Sequence, residues 1–195
     1  FEITLVSSEA NVDFDSMLKN RATLSIHAIN GSETVPYHGV LSKFEQLSKK
    51  NNYVFYKAVL VPRIWSLSLF ESNEIFTEEK SVPEIISKLI KDNNLTNDDF
   101  SVALKDSSNY RSRSFVCQYQ ETSLNFINRS LQNLGIYYYF EHDAAENGVE
   151  KLQITDFKES HPLKATKLTY CNPEDLDSNL EKSCVYNFVG AQKPI

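Results

Sequence analysis

The run from Gln118 to His142, QYQETSLNFINRSLQNLGIYYYFEH, places a helix, a stop and a strand within one short span. Leu124, Ile127, Leu131 and Leu134 recur at spacings of three and four, the period of one helical face, with Thr122 or Glu121 at the start. Gly135 stands where a helix ends on a left-handed residue that carries no side-chain penalty. The strand IYYYFEH then sends Ile136, Tyr138 and Phe140 to one side and Tyr137 and Tyr139 to the other. An apolar helical stripe and an apolar strand face this close together are buried most directly by folding one back on the other. Burying the four helical side chains would contribute roughly 6 to 12 kcal/mol gross.

The first seventy or so residues read as β-rich. ATLSIHAI (Ala22 to Ile29) alternates apolar and polar positions, and Asn30-Gly31 supplies a hairpin turn signal. VPYHGVLSKFEQL continues as one strand or two, broken at Gly39, and Ser48 to Asn52 form a polar loop. YVFYKAVLV is apolar on both faces, with Tyr53, Phe55, Val59 and Val61 on one and Val54, Tyr56, Ala58 and Leu60 on the other. A strand of that kind is covered twice, by the chain itself or by a neighbouring subunit. Pro62 interrupts the ladder because it has no N–H to give. IWSLSLF then reads as a one-sided strand with Trp65, Leu67 and Leu69 on one face. Short antiparallel strands at this spacing suggest a small barrel or sandwich.

Further along, SVPEIISKLIKDNN begins with Ser81 and Glu84 in a capping box, with Pro83 tolerated in the first turn. Ile85, Ile86, Leu89 and Ile90 form its stripe, and Asn93-Asn94 end it. A polar loop with paired acids, Asp98 and Asp99, leads to the strands FSVAL and FVCQYQ. After the opening run, AENG reads as a turn, VEKLQITDF as a partner strand, and TKLTY and SCVYNFVG as later strands.

A chain of 195 residues buries enough surface to fold without staples. Its formal charge of −6, with Lys and Arg scattered among acids, offers no footprint for nucleic acid or for an anionic membrane. Cys117, Cys171 and Cys184 lack CxxC spacing and read as three reduced thiols. No apolar run is long enough to span a membrane as a helix, so stable insertion by this chain is not expected. The start on Phe1 and the end on AQKPI suggest a segment of something longer.

Chemistry is sought in vain. His27, His38, His142 and His161 lack the spacing of a helical metal site, and His27 reads as a structural strand residue. Nucleophile elbow and Walker loop are both missing, and five glycines cannot assemble a phosphate cradle. Cys117 falls in a strand interior, where an inert thiol is expected, although a distant histidine partner stays open. Glu78-Glu79 and Asp175 with Asp177 read as solvated loop acids. The tyrosines divide between two faces and suit packing and assembly better than stacking on bases or sugars. The expectation is therefore no catalytic, cofactor or metal residue.

Four ordered segments carry a family resemblance. They are YHGVLSKFEQL (Tyr37 to Leu47), YVFYKAVLVPRIWSLSLFESNEIF, KSVPEIISKLI and CQYQETSLNFINRSLQNLGIYYYFEH. Together they resemble the N-terminal hub region of the VgrG spike-tip proteins of type VI secretion systems, and through it the baseplate hub proteins of contractile phages. The likeness departs at Ser123 and Ser130, where that family usually has an acid and a leucine.

The resemblance implies an α+β fold: an antiparallel β-barrel-like domain, then an α/β insert with two helices and further strands. It divides the chain into a hub domain over 1–76, a helix-containing domain over 77–184 and the start of a further β domain over 185–195. It also implies a homotrimer in the full-length protein, docking on a hexameric Hcp-like tube, possible effector partners, and assembly in the cytoplasm followed by delivery out of the cell. Val54, Tyr56, Tyr137 and Tyr139 are the expected subunit-contact residues. A phage or prophage tail hub is the alternative. A cargo cell-wall hydrolase, for which Cys117 and Glu121 would be the first residues to change, is the contrasting class.

Overall fold

A computed structural model describes residues 1–27, 34–77, 79–144, 148–161, 169–170, 172, 184–185 and 189–190. It contains two compact units, Phe1–Ser25 with Pro36–Ser160, and Ile26–Val35 with His161–Ile195.

Strand β1 (Glu2–Ser7) and a short helix α1 (Phe14–Lys19) precede β2 (Arg21–His27), β3 (Thr34–Lys50) and β4 (Tyr53–Val61). The sheet order is β1-β4-β3-β2, with β4 antiparallel to both β1 and β3. Its edges, β1 and β2, do not pair with each other among the described residues. The α+β class expected from the sequence is what the chain adopts.

Two expectations about this sheet are corrected. Gly39 does not break the strand: β3 runs unbroken through it, and a Cβ there would stand 2.3 Å from the Val61 carbonyl oxygen. Glycine is present because β4 approaches closely. The polar stretch from Ser48 to Asn52 is mostly strand as well. Lys50 pairs with Tyr53, leaving Asn51 and Asn52 as a two-residue turn with Asn51 at φ 57°. Bulges between Leu41 and Lys43 and between Gln46 and Ser48 absorb the extra residues of the long strand.

The third correction follows Pro62. Residues Arg63–Ser68 form a 3-10 helix in place of the one-sided strand. Pro62 caps it, and its carbonyl accepts from Trp65 N–H at 3.0 Å. Ile64 and Leu67, three residues apart, become the buried pair, as the 3-10 period requires.

Beyond it lie β5 (Glu71–Phe76), α2 (Val82–Asp92), β6 (Phe100–Ala103), β7 (Val116–Thr122), α3 (Ser123–Leu134), β8 (Tyr137–His142) and β9 (Glu150–Thr155). β5 and β7 make an antiparallel ribbon. β9 sits between β6, to which it is parallel, and β8, to which it is antiparallel. The capping box at Ser81 and Glu84 forms as expected. Thr122 caps α3, and Gly135 ends it at φ 69°.

Helices α2 and α3 cover one side of this three-stranded sheet. Ile85, Ile86, Leu89, Ile90, Ile127, Leu131, Leu152 and Ile154 share one core with Phe126. Phe126 is fully buried, whereas Leu124 and Leu134 of the expected stripe are only half-buried. Ser123 and Ser130 also face inward. A separate small core under the first sheet holds Phe44, Val54, Tyr56 and Ala58. In the second unit, β10 (Thr169–Tyr170) and β11 (Cys184–Val185) pair in parallel. The expected turns at Asn30-Gly31 and AENG, Cys171, Glu78, Asp175 and Asp177 lie wholly or mainly outside the described residues.

Candidate assembly surface

The four expected contact residues fall into two pairs. Val54 and Tyr56 point into the chain's own core, 0% and 1% exposed. Tyr56 stacks on Phe44 at 5.3 Å between ring centres, and its hydroxyl donates to the Glu9 carbonyl at 2.9 Å. The double-sided strand is thus covered on that face by the chain itself, one of the two coverings its pattern allowed. Phe55, Val59 and Val61 on the other face are half-buried.

Tyr137 and Tyr139 lie on the opposite side of β8 from Tyr138 and Phe140, which pack against the helical core. The Tyr137 hydroxyl donates to the Phe157 carbonyl at 3.1 Å, and the Tyr139 hydroxyl to the Ser160 carbonyl at 3.2 Å. Both phenols therefore hold the turn after β9 and leave ring surface outside, with Tyr137 37% exposed. Tyr138 turns inward and donates to Asn128 at 3.0 Å; burial raises its phenol pKa above the usual range.

A second apolar surface escaped the sequence reading. On the β5–β7 ribbon, Val116 packs on the core and Gln118 is buried, so Phe115, Cys117 and Tyr119 take the outer side. Ile75 lies directly across from Cys117. Ile75, Phe115 and Tyr119 are 64%, 58% and 67% exposed. The signal was present in the alternation of FVCQY, but alternation alone cannot say which side faces water. Cys117 is half-buried at the edge of this patch. Arg129 braces it from α3, donating to Glu121 at 2.5 Å and to the Cys117 carbonyl at 3.4 Å.

The polar side chains serve the fold. Asp99, of the paired acids in the polar loop before FSVAL, is 5% exposed. It accepts from Arg63 beyond β4, from Arg21 of β2 at 3.1 Å, and from the Thr96 N–H at 2.7 Å. Buried Glu150 accepts from the Arg63 N–H at 2.8 Å. His27 pairs with Thr34 at 2.9 Å.

A groove of about 840 Å³ runs beside α2, lined in part by Glu84, Lys88, Asp92 and Tyr110. Its charges answer local partners: Lys88 binds Asp92 at 2.6 Å, and Glu84 binds Ser81. Among the described residues no group of three or more His, Cys, Asp or Glu side chains could hold a metal ion. No helix among them is long and apolar enough to cross a membrane.

Known proteins share this architecture. Residues 1–193 match the family model of the phage tail baseplate hub (GPD). The type VI secretion system spike protein VgrG1c of Pseudomonas aeruginosa is 33% identical over 174 residues, which are 88% of this chain and 23% of that protein. VgrG1a of the same organism is 34% identical over 143 residues, 73% of this chain and 21% of that one. Among solved structures, the E. coli c3393 protein superposes with a TM-score of 0.74 at 28% identity, over 89% of this chain and 45% of that chain. That protein is described as a type VI secretion component structurally similar to the T4 tail proteins gp27 and gp5. The chain spans about a fifth of the length of the VgrG proteins it matches. With its helix-covered sheet and four-stranded sheet in place, and the match running over residues 1–193, the chain belongs to the phage tail baseplate hub family.

Proposed function

We propose that this chain is a structural hub segment at the tip of a contractile injection machine of the type VI secretion class. The observation that carries the reading is its likeness to VgrG spike proteins over 88% of its length. In the full-length protein it forms a homotrimer and docks on a hexameric Hcp-like tube, helps carry effector proteins, and leaves the cell with the spike. It performs no catalysis itself. Sheet residues before Pro62 and helices after Ser81 support a hub segment over 1–76 and a helix-containing segment over 77–184, with 185–195 opening a further β domain.

The exposed row of Ile75, Phe115 and Tyr119 and the outer rings of Tyr137 and Tyr139 are the surfaces offered to neighbouring subunits. Val54 and Tyr56 contribute from beneath, by holding β4 in place. A contractile-phage or prophage tail hub is the second reading, favoured by the family description itself; neighbouring genes for a capsid would decide for it.

The test is made in the bacterium that produces the protein. Replacing both Ile75 and Tyr119 with Asp should stop export of the tube protein while the variant accumulates folded. Undiminished export by that variant would remove the ribbon from the assembly surface. Undiminished export from a strain lacking the gene would remove the secretion role altogether.

A further inference from the structure

His38 and His142 meet where the four-stranded sheet adjoins the three-stranded one. The backbone N–H of His38, on β3, donates to Nδ1 of His142, the last residue of β8, at 3.0 Å. Nε2 of His38 lies 2.8 Å from the Asp143 carbonyl oxygen, and its Nδ1 lies 2.9 Å from Thr23 Oγ1. The Tyr37 ring meets the His142 ring edge-on at 5.3 Å.

These partners decide where the protons sit. A carbonyl oxygen only accepts, so His38 Nε2 carries hydrogen and its Nδ1 takes the Thr23 hydroxyl. His142 is constrained in the other sense. Its Nδ1 faces an N–H and must present a lone pair, so the neutral ring carries its proton on Nε2.

A proton on Nδ1 of His142 opposes a backbone N–H, which cannot accept at all. We propose that His142 is a proton-sensitive clasp: neutral, it ties β3 to β8 through the His38 N–H, and protonated on Nδ1 it gives that hydrogen bond up. The joint between the two sheets is then firm at neutral pH and loosened in acid.

The surrounding charges are few. From β9, Glu150 lies directly across the strand pair from His142, with Oε1 on the Arg63 N–H and Oε2 buried without a hydrogen-bond partner. From the 3-10 helix, the Arg63 guanidinium is taken by Asp99, as is Arg21 from β2. On the chain next to His142 stand Asp143 and Glu141, the latter bound to Gln153 at 2.6 Å. His38 and the Tyr37 ring face it from β3. Burial lowers the His142 pKa below the ordinary imidazole value of 6.5; His38 adds to this and Glu150 opposes it. The clasp is accordingly at full strength above 6.5 and is lost as the pH falls from there through the lower folded-state value.

The experiment follows the His142 ring titration and the hydrogen-exchange protection of the His38 amide by NMR, from about pH 7.5 to about pH 5. Expected are a His142 titration below 6.5 and a fall of about tenfold in His38 protection over the same range. His142→Asn places a non-titrating carbonyl oxygen near the position of Nδ1 and should keep His38 protected at every pH. Protection that stays level in the parent chain overturns the proposal. So does a fall that survives in His142→Asn, or a ring titrating above 6.5.

Discussion

Replacing Asp99 with Ala should cost about 3 to 5 kcal/mol at neutral pH, because it leaves the Arg63 guanidinium and the Thr96 donors without their buried acceptor. The carboxylate is 5% exposed and accepts from Arg63, from Arg21 at 3.1 Å, and from the Thr96 N–H and hydroxyl at 2.7 and 3.0 Å. Each hydrogen bond to a charged group contributes roughly 1.5 to 3 kcal/mol. The Arg21 contribution belongs at the bottom of that range, since its side chain is 48% exposed and screened by water. In a chain of this size the loss corresponds to a fall of about 10 °C in the melting temperature. Burial pushes the Asp99 carboxyl upward, but the Thr96 donors and the Arg63 guanidinium outweigh it and hold the group below its ordinary 3.8. The contribution is therefore present above pH 3.8 and lost as the pH falls through the lower folded-state value. Urea unfolding of the parent and Asp99→Ala chains at neutral pH and in acid reads both effects. A neutral-pH loss under about 1 kcal/mol would refute the reasoning. A difference that persists undiminished in strong acid would refute it equally.

Gly39→Ala should destabilise by about 2 to 3 kcal/mol, since the new Cβ meets Val61 backbone 2.3 Å away and neither strand can yield cheaply; urea unfolding no different from the parent would contradict the close-approach account. Phe126→Ala should cost about 3 to 5 kcal/mol, because its ring is fully buried and stacks on Phe76 at 5.7 Å. Leu124→Ala, at a half-buried position of the same helix, should cost clearly less, and thermal melts ranking the two in reverse would displace Phe126 as the anchor of α3.

Local signals were legible wherever the chain's own chemistry closes a short loop of cause. Ser81 with Glu84, Thr122 and Gly135 each satisfy backbone groups within a few residues, so both main helices could be bounded before their partners were known. The alternation of Tyr137 to Phe140 likewise assigned faces to β8 correctly. Reading failed where a residue's meaning depended on a distant strand. Gly39 looked like a break because its cause, the carbonyl of Val61, is remote in sequence. The stretch after Pro62 alternates like a strand, yet burial of Ile64 and Leu67 against α3 selects the 3-10 turn instead.

The candidate surface divides in the same way. Sequence alone determined the family resemblance, the helix-then-strand core and the two-faced strand at Tyr53 to Val61, because periodicity and capping are properties of neighbouring residues. It could not say which face of a strand meets water, since both faces of YVFYKAVLV and of FVCQY carry apolar groups. Tertiary structure decided that Val54 and Tyr56 lie inside while Ile75, Phe115 and Tyr119 stand outside. It also turned Asp99, His38 and His142 from scattered polar residues into the joint between two sheets. Burial and hydrogen bonding are set by whatever the fold brings opposite a side chain, and the partners that make this joint, Thr23 and His142 for His38 and Arg21 for Asp99, lie from fifteen to more than a hundred residues away in sequence.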